Sequence, residues 1–365
     1  MNFRELIIKT FQREKIDRVV WQPRLEHWYY VNRKRGTLPS RYRGKSLMEI
    51  YRDLNASKRY WYYQGPFYLQ HEYDQVKIES RKDGARIMIT MDTPEGRLQQ
   101  IEQLGEWECS QHFLEYPVKT PGDMKIMEFI LKNQRVVFNK SVFQQAEKEV
   151  GEYGVTQFFN IYPYAPLQRL IICLMGFEPT IYALTDNLPE TERLMDIMEK
   201  ADDELFNVLA GSPVRILNFG ENIDANLDAP DLFRKYCLPY YQRRLKQLKQ
   251  AGKFVHVHMD GTLKPLLPFI REMAFDGIEA ATPLPQGDVT LEELKEALGD
   301  KILLDGIPAV LFLRQYSFRE LEAMTKKILE LFAPRLILGI SDEMPPDGDI
   351  EKVRLVSEIV QNFKM

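Results

Sequence analysis

The chain has 365 residues, of which 44% are hydrophobic, and this is enough apolar material for one large core or two ordinary ones. Its 49 Lys and Arg residues nearly balance its 53 Asp and Glu residues, so the formal net charge of -4 gives no bulk attraction to nucleic acid or to an anionic membrane. No stretch of about 18 uninterrupted apolar residues exists, and the charged start of the chain lacks the apolar region of a secretory signal. We therefore expect a soluble, cytoplasmic protein.

The chain contains three cysteines, Cys109, Cys173 and Cys237. Their number is odd and they are far apart, which is typical of free thiols in a reducing compartment rather than of a disulfide framework.

The first 117 residues combine several short patterns. Apolar residues at helical spacing from Phe3 to Phe11 predict a helix, and the apolar run that ends at Trp21 predicts a strand. Residues 22–75 are rich in Tyr, Trp and Arg without a clean period, so we expect an irregular arm with short helices. Two short β-type runs, residues 75–80 and 86–90, flank an Asp-Gly turn and predict a small hairpin flap.

From Val118 onward, strand, loop and helix alternate, which indicates parallel strands joined by crossover helices. The predicted strands are residues 153–161, 214–217, 254–258, 277–280, 302–305 and 336–339. No glycine-rich nucleotide-binding turn follows any of them, so a closed barrel is favoured over an open sheet. We predict a single-domain (β/α)₈ barrel, with arm, first strand and flap in residues 1–117 and the main barrel in residues 118–365.

The segment Phe254 to Gly261 alternates apolar and polar residues as a strand does. A period of two puts His256, His258 and Asp260 on one face, at the strand end where barrel enzymes carry their chemistry. Two imidazoles at this spacing can bind one metal ion. The alternative is one hydrogen-bonded core histidine and one that lines the pocket without metal.

Glu279 is the one ionisable side chain of the next predicted strand, and a carboxylate there is costly to bury without a partner. If neighbouring strands lie side by side, His256, His258 and Glu279 form a ligand set of nitrogen and oxygen atoms. A salt bridge to an arginine or lysine of the barrel is the alternative.

Other candidates follow other strands. Arg24 comes directly after the first strand and is suited to bind a carboxylate through its planar fork, with an ion pair to Glu26 or another acid as the alternative. Loop and turn positions supply further polar groups, which are pocket candidates or ordinary turn and rim residues: Glu221, Asn222, Asp224, Ser341, Asp342 and Glu343.

The order of several motifs resembles that of the uroporphyrinogen decarboxylase superfamily, from about residue 17 to the end. The motifs are VVWQPRLEHWY, YAPLQRLIICLMGFEP, GENIDANLDAPDLFRKYCLPYY, VHVHMDG, DGIEAATPLP and LILGISDEMPPDGDIEKVRLV. The superfamily contains decarboxylases and zinc-dependent methyltransferases that act with corrinoid proteins, and it implies a fold more firmly than a reaction.

The decarboxylase branch has two arginines after the first strand. Arg24 resembles the first, but Trp28 occupies the position of the second. The branch's aspartate has no match in the flap, and Ile340 to Asp342 replace its histidine after the last strand.

The methyltransferase branch has His-x-Cys where this chain has His256-x-His258, and its carboxylate resembles Glu279. The branch also has a cysteine near the last strand, which Asp342 or Glu343 would have to replace.

Three functional hypotheses result. In the first, zinc bound by His256, His258, Glu279 and Asp342 assists methyl transfer between a small molecule and a separate corrinoid protein, because the chain has no recognisable corrinoid domain. In the second, Arg24 holds a carboxylated substrate for decarboxylation without a cofactor. In the third, the barrel only binds a small ligand. Asp260, Glu221 and Asn222 are the further catalytic candidates, and the arm and the barrel exterior leave room for a homodimer.

Overall fold

The computed structural model describes residues 1–59, 69–106, 110–159 and 165–365. Cys109, most of the aromatic run RYWYYQGPFY and the end of the strand predicted at residues 153–161 lie outside the described residues. The strands are β1 (Val20–Trp21), β2 (Leu69–Tyr73), β3 (Lys77–Asp83), β4 (Arg86–Thr93), β5 (Gly96–Leu104), β6 (Gln111–Glu115), β7 (Gln134–Phe138), β8 (Phe158–Phe159), β9 (Ile216–Ile223), β10 (Phe254–Met259), β11 (Gly277–Glu279), β12 (Ile302–Pro308) and β13 (Leu336–Ser341).

Helices alternate with the strands of the main sheet, as the sequence predicted. They are α1 (Phe3–Gln12), α2 (Glu26–Arg35), α3 (Leu47–Asp53), α4 (Pro121–Lys132), α5 (Lys140–Val150), α6 (Pro166–Arg169), α7 (Phe177–Asp186), α8 (Leu188–Gly211), α9 (Pro230–Leu232), α10 (Leu238–Gln250), α11 (Leu267–Glu272), α12 (Leu291–Leu298), α13 (Phe318–Phe332) and α14 (Ile350–Asn362). None of the helices in the described ranges is both long and apolar enough to cross a bilayer.

The main sheet is a barrel wall. Seven parallel strands pair in the order β1, β13, β12, β11, β10, β9, β8. Residues 56–59 lie next to β1: the Ser57 amide donates to the Trp21 carbonyl at 2.8 Å. The Lys58 amide donates at 3.0 Å to the carbonyl of Tyr153, which precedes β8. Residues 56–59 therefore lie between β1 and the segment that leads into β8, where the eighth wall strand of the predicted (β/α)₈ barrel belongs, and this fold is confirmed.

One end of the barrel is closed by α1. Asn2 and Glu5 form a reciprocal cap at the start of this helix, so its first amides are satisfied. Its apolar face, with Leu6 and Phe11, packs against residues at the amino ends of the strands, such as Val20. The opposite end, at the carboxyl ends of the strands, contains buried polar side chains instead.

The flap is larger than predicted. Strands β3, β4, β5 and β6 form an antiparallel sheet in that order, so the expected hairpin is the first half of a four-stranded sheet. The sequence reasoning missed the second turn, at Pro94 and Glu95 between β4 and β5. Next to the flap, β2 pairs with β7 in a separate antiparallel ribbon.

Two cysteines behave as predicted. Cys173 and Cys237 are free thiols, and Cys237 is fully buried.

Candidate active site

Strand β10 carries the two histidines at the carboxyl end of the barrel. His256 is 0% exposed and His258 is 4% exposed, since alternate residues of this strand point into the barrel. In the register of the wall, His256 lies beside Asn218 of β9, and His258 lies beside Glu279 of β11. The predicted proximity of the two histidines and Glu279 is therefore present in the structure.

The two imidazoles face one carboxylate oxygen. Nδ1 of His256 lies 3.5 Å and Nδ1 of His258 lies 3.7 Å from Oε2 of Glu279. Both Nδ1 atoms are buried, and neither has a hydrogen-bond partner within the described part of the chain. Nε2 of His256 is 2.8 Å from Oε1 of Gln157, so a proton on Nε2 leaves a lone pair on Nδ1 directed at the site.

Glu279 is held by positive and amide groups. Its Oε1 accepts a hydrogen bond from Arg59 at 2.7 Å and lies 3.5 Å from the guanidinium of Arg24. Its Oε2 accepts from the side-chain amide of Asn218. The salt bridge that the sequence left open as an alternative is present, with two arginines on Oε1, while Oε2 is turned toward the histidines.

Sequence reasoning missed Arg59 and Asp305. Arg59 is 1% exposed and makes two hydrogen bonds to Asp305, at 2.7 and 3.0 Å, and one to Gln22 at 2.8 Å. Asp305 is a single acid inside the apolar strand β12, which is the same signal that identified Glu279. Arg59 gave no such signal, because it lies within the aperiodic segment of residues 22–75.

Arg24 connects the first strand with the loop after the last one. Its guanidinium forms ion pairs with Asp342 and, at 3.1 Å, with Glu343. Asp342 in turn is 3.9 Å from Nε2 of His258, on the opposite side of the ring from Glu279. The structure therefore groups Asp342 with Arg24 and does not bring it to the nitrogen atoms that face Glu279.

Burial and charge give the two histidines different protonation states. Burial lowers the pKa of His256 to about 3, so its ring is neutral near pH 7. Burial also opposes a charge on His258, but Asp342 and the other nearby carboxylates outweigh it and hold the pKa of this histidine well above its usual value. Burial opposes the charge of Glu279 as well, yet Arg59 keeps the pKa of this carboxyl well below its usual range.

The pKa values of two further carboxyls in the cluster are raised, in contrast to that of Glu279. Burial raises the pKa of Asp305 to about 6 and the pKa of Glu343 to about 7, in each case against the effect of a neighbouring arginine. The cluster therefore contains more carboxylates than its two arginines neutralise, and it favours an additional positive charge.

The remaining predicted residues have different surroundings. Asp260 is 3.9 Å from Nε2 of His258 and its side chain is 38% exposed. Glu221 is fully buried and accepts hydrogen bonds from the Ala165 amide at 3.2 Å and the Tyr241 hydroxyl at 2.9 Å. Asn222 is exposed, with a positive φ of 50°. Asp260 thus borders the histidine cluster, whereas Glu221 supports the start of α6.

A metal ion needs several donor atoms that converge on one point. In the ranges described, no group of three or more His, Cys, Asp and Glu side chains is already placed to hold one. His256, His258 and Glu279 fit in chemistry: two buried nitrogen atoms without partners face one carboxylate oxygen, at spacings near the separation of about 3.4 Å between ligands of tetrahedral zinc. Gln157 supplies the second hydrogen bond that a ligating imidazole usually makes. A site there requires Glu279 to shift relative to Asn218 and Arg59.

Solved structures with a similar fold include a methyltransferase from Methanosarcina mazei. The likeness covers 100% of this chain and 99% of that one, with 12% sequence identity and a TM-score of 0.59. A B12-independent methionine synthase from a Shewanella species is also similar, over 86% of this chain and 85% of that one, with 14% identity and a TM-score of 0.46. No curated protein matches the chain in sequence.

The family model for uroporphyrinogen decarboxylase matches residues 165–363, which is more than half of the chain. This span includes both histidines and Glu279. The chain belongs to the uroporphyrinogen decarboxylase family.

Proposed function

We propose that this family member is a methyltransferase that uses a divalent metal ion, zinc, to move a methyl group between a small molecule and a corrinoid carried by a separate protein. The similarity to the Methanosarcina mazei methyltransferase is one of fold, so the reaction is our proposal.

One observation carries the proposal. Nδ1 of His256 and Nδ1 of His258 are buried without a hydrogen-bond partner among the described residues, and both face Oε2 of Glu279. A lone pair that faces a carboxylate oxygen is repelled unless a proton or a metal ion lies between them. The excess carboxylates that favour a proton on His258 would favour a divalent cation at the same place, and binding would displace that proton.

The chain's own residues would prepare this site. Gln157 fixes the ring of His256, so that Nδ1 rather than Nε2 points inward. Arg59, which is itself held by Asp305, binds Oε1 of Glu279, and Oε2 is the oxygen turned toward the two imidazoles. Because all of these side chains are buried, water is largely excluded and each electrostatic interaction is stronger than it would be at the surface.

The metal would supply Lewis acidity: it lowers the pKa of a bound thiol or alcohol, or polarises an ether oxygen. With Nδ1 of His258 on the metal, Nε2 of this ring would hold its proton on the side of Asp342 and Asp260. Asp260 and Asp342, whose side chains are both partly exposed, lie at the solvent edge of the cluster.

Decarboxylation is less well supported by the geometry. A substrate carboxylate bound at Arg24 would have to compete with Asp342, Glu343 and Glu279, which already contact this guanidinium. Displacing three carboxylates from one buried arginine costs more than binding to an unoccupied one.

Metal analysis of tag-free protein purified without chelator tests the proposal. We expect about one zinc ion per chain, and less than a tenth of that in the variant His256→Ala/His258→Ala. The variant His71→Ala/His112→Ala also removes two histidines, both outside the barrel mouth, and should retain the metal.

Methyl transfer is measured separately, with free methylated corrinoid and a set of small thiols and phenols. Transfer that depends on both zinc and the two histidines supports the proposal. Wild-type protein that is metal-free and cannot be loaded with zinc would overturn it, and release of carbon dioxide from carboxylated substrates would then identify the decarboxylase.

A further inference from the structure

A second cleft lies at the rim of the barrel mouth, and no residue of the histidine cluster lines it. It has a volume of about 740 Å³ and lies between α2 and the loops that follow β12 and β13, the last two strands of the wall. Its lining includes apolar side chains and charged ones, among them Trp28, Leu313, Arg35, Arg314, Asp347 and Asp349. The loops after the last two strands are where barrel proteins frequently bind phosphate groups.

Helix α2 is fastened to the loop after β13. The indole Nε1 of Trp28 donates to the carbonyl of Gly348 at 3.1 Å. The side-chain amide of Asn32 donates to the carbonyl of Pro346 at 2.8 Å. These buried donors hold two walls of the cleft together, so the cleft is already formed without a ligand.

The loop after β12 is held in a similar way. The amide of Asp349 donates to the carbonyl of Phe312 at 2.9 Å, which joins the two loops. Lys352, which is 2% exposed, donates at 2.6 Å to the carbonyl of Leu313 and at 2.6 Å to that of Tyr316. The turn at residues 314–315 is therefore clamped on both sides, and it presents the exposed side chain of Arg314 at the cleft.

The other arginine of the cleft is held only by an exposed acid. Arg35 lies 3.2 Å from Asp347, whose side chain is 84% exposed. An ion pair this exposed stabilises little, so Asp347 can return to water at low cost when an anion takes its place. Arg24 differs, because the carboxylates that contact it lie deep in the mouth.

The remaining acid of the cleft is already engaged. Asp349 is the N-terminal cap of α14, and its carboxylate accepts a hydrogen bond from the Glu351 amide at 2.9 Å. The start of this helix is thus satisfied by the chain itself. Recognition of an anion in the cleft therefore depends on the two arginines and not on the helix.

We propose that this cleft binds the phosphate group of a small phosphate monoester between the guanidinium groups of Arg35 and Arg314. Such a group carries a charge of about −1.5 to −2 near pH 7 and has three terminal oxygens. Two arginine forks match these oxygens, whereas a carboxylate is saturated by one fork. Trp28 and Leu313 would contact the organic part of the ligand. The site is separate from the metal site and does not depend on the proposed methyl transfer.

Isothermal titration calorimetry of the full chain tests the ligand class. Adenosine 5′-monophosphate and glycerol 3-phosphate are the phosphate monoesters, and adenosine and glycerol are their neutral counterparts. We expect both monoesters to bind with a Kd in the millimolar range or tighter, and neither neutral compound to bind.

Three single variants test the residues, and the expected changes have opposite signs. Arg314→Gln should weaken the binding of both monoesters by at least about tenfold, because it removes hydrogen bonds from a charged donor. Asp347→Asn should tighten binding by about threefold, because it removes the carboxylate that competes for Arg35. Arg86→Gln removes an exposed arginine of the flap and is the matched control, with unchanged binding.

Three results would each overturn the proposal. They are monoesters that do not bind at millimolar concentration or bind no better than their neutral counterparts, Arg314→Gln that binds them as the wild type does, and Asp347→Asn that binds them more weakly. All three substituted side chains are exposed, so folding is not at risk, and unchanged near-ultraviolet circular dichroism verifies this.

Discussion

The two ends of the barrel are built from opposite materials. At the amino ends of the strands, α1 covers the opening with apolar side chains such as Leu6, Ile7 and Phe11. At the carboxyl ends, the interior contains two arginines, two histidines and several carboxylates, most of them as deeply buried as the apolar residues. The wall between them is formed by the same parallel strands.

The difference shows what each end contributes. The apolar side chains of the plug give up no favourable hydration on burial, so their burial stabilises the fold. Each buried charge, in contrast, needs a partner to offset its loss of hydration. At the mouth, Arg59 and Glu279 form such a pair, but their net contribution to stability is small. The charged residues at the mouth are therefore best explained by a role in chemistry, as is usual for this end of the fold. The apolar residues of the plug are explained by their contribution to stability.

Arg59→Met should produce the largest change. It leaves Glu279 and Asp305 buried without their main partner, so we expect a loss of about 3–5 kcal/mol in the free energy of unfolding, measured by urea denaturation. Arg59→Met/Asp305→Asn removes one of the stranded charges and should recover part of the loss. Equal stability of Arg59→Met and the wild type would show that the charge cluster is not closed to water.

Leu6→Ala tests the other end. Leu6 is fully buried in the plug, and its truncation should cost about 3 kcal/mol through lost burial and the remaining cavity. Zinc content and methyl transfer should stay at wild-type levels in the folded variant, because no charged group of the mouth is changed. A loss of metal at unchanged folding would contradict the separation of the two ends.

The variant Asp228→Asn tests how the ionisation of a buried carboxyl affects stability. Asp228 follows β9 and lies outside the histidine cluster. Burial raises the pKa of Asp228 to about 7, whereas the pKa of an unfolded aspartate is about 4. Between these values the folded state holds a proton that the unfolded state has lost, so the contribution of this group to stability falls as pH rises from about 4 to about 7. Asp228→Asn has no such loss.

We therefore expect the stability of Asp228→Asn relative to the wild type to increase by about 2 kcal/mol between pH 5 and pH 8, in parallel urea titrations. Gln168 Nε2, which donates to Asp228, can donate equally to the amide oxygen of asparagine. A difference that does not depend on pH would show that Asp228 is already ionised at pH 5.

Asp300→Asn should give the smallest effect. Asp300 pairs with Arg335 at the outer rim of the plugged end, where the two side chains are 84% and 41% exposed. Removing such an exposed pair should change the free energy of unfolding by less than about 1 kcal/mol. A larger effect would mean that charge at this rim matters as it does inside the mouth.

The periodicity of apolar residues, and the position of polar residues within the strands, made much of the molecule predictable. The alternation around His256 and His258 identified β10, and the lone acid in an apolar strand identified Glu279. The amphipathic pattern of α1 identified the helix that closes the barrel.

The residues that were missed share a physical reason. The wall member at residues 56–59 has no apolar run, because Ser57 and Arg59 turn polar side chains to a polar interior. Contacts such as those of Arg59 with Glu279 and Asp305 join residues 220 and 246 positions apart. Local periodicity carries no information about pairing over such distances.

The contribution of Arg59 to the site has a consequence for anyone who transplants it. The segment that matches the family model begins at residue 165, yet Arg24, Arg59 and Gln157 come from earlier in the chain. A chimera that exchanges only residues 165–363 between relatives would bring in Glu279 and the histidines without the guanidinium groups that neutralise this carboxylate. The graft has to include residues 22–59 and Gln157 as well, so the smallest portable unit of this site runs from about residue 22 to residue 363.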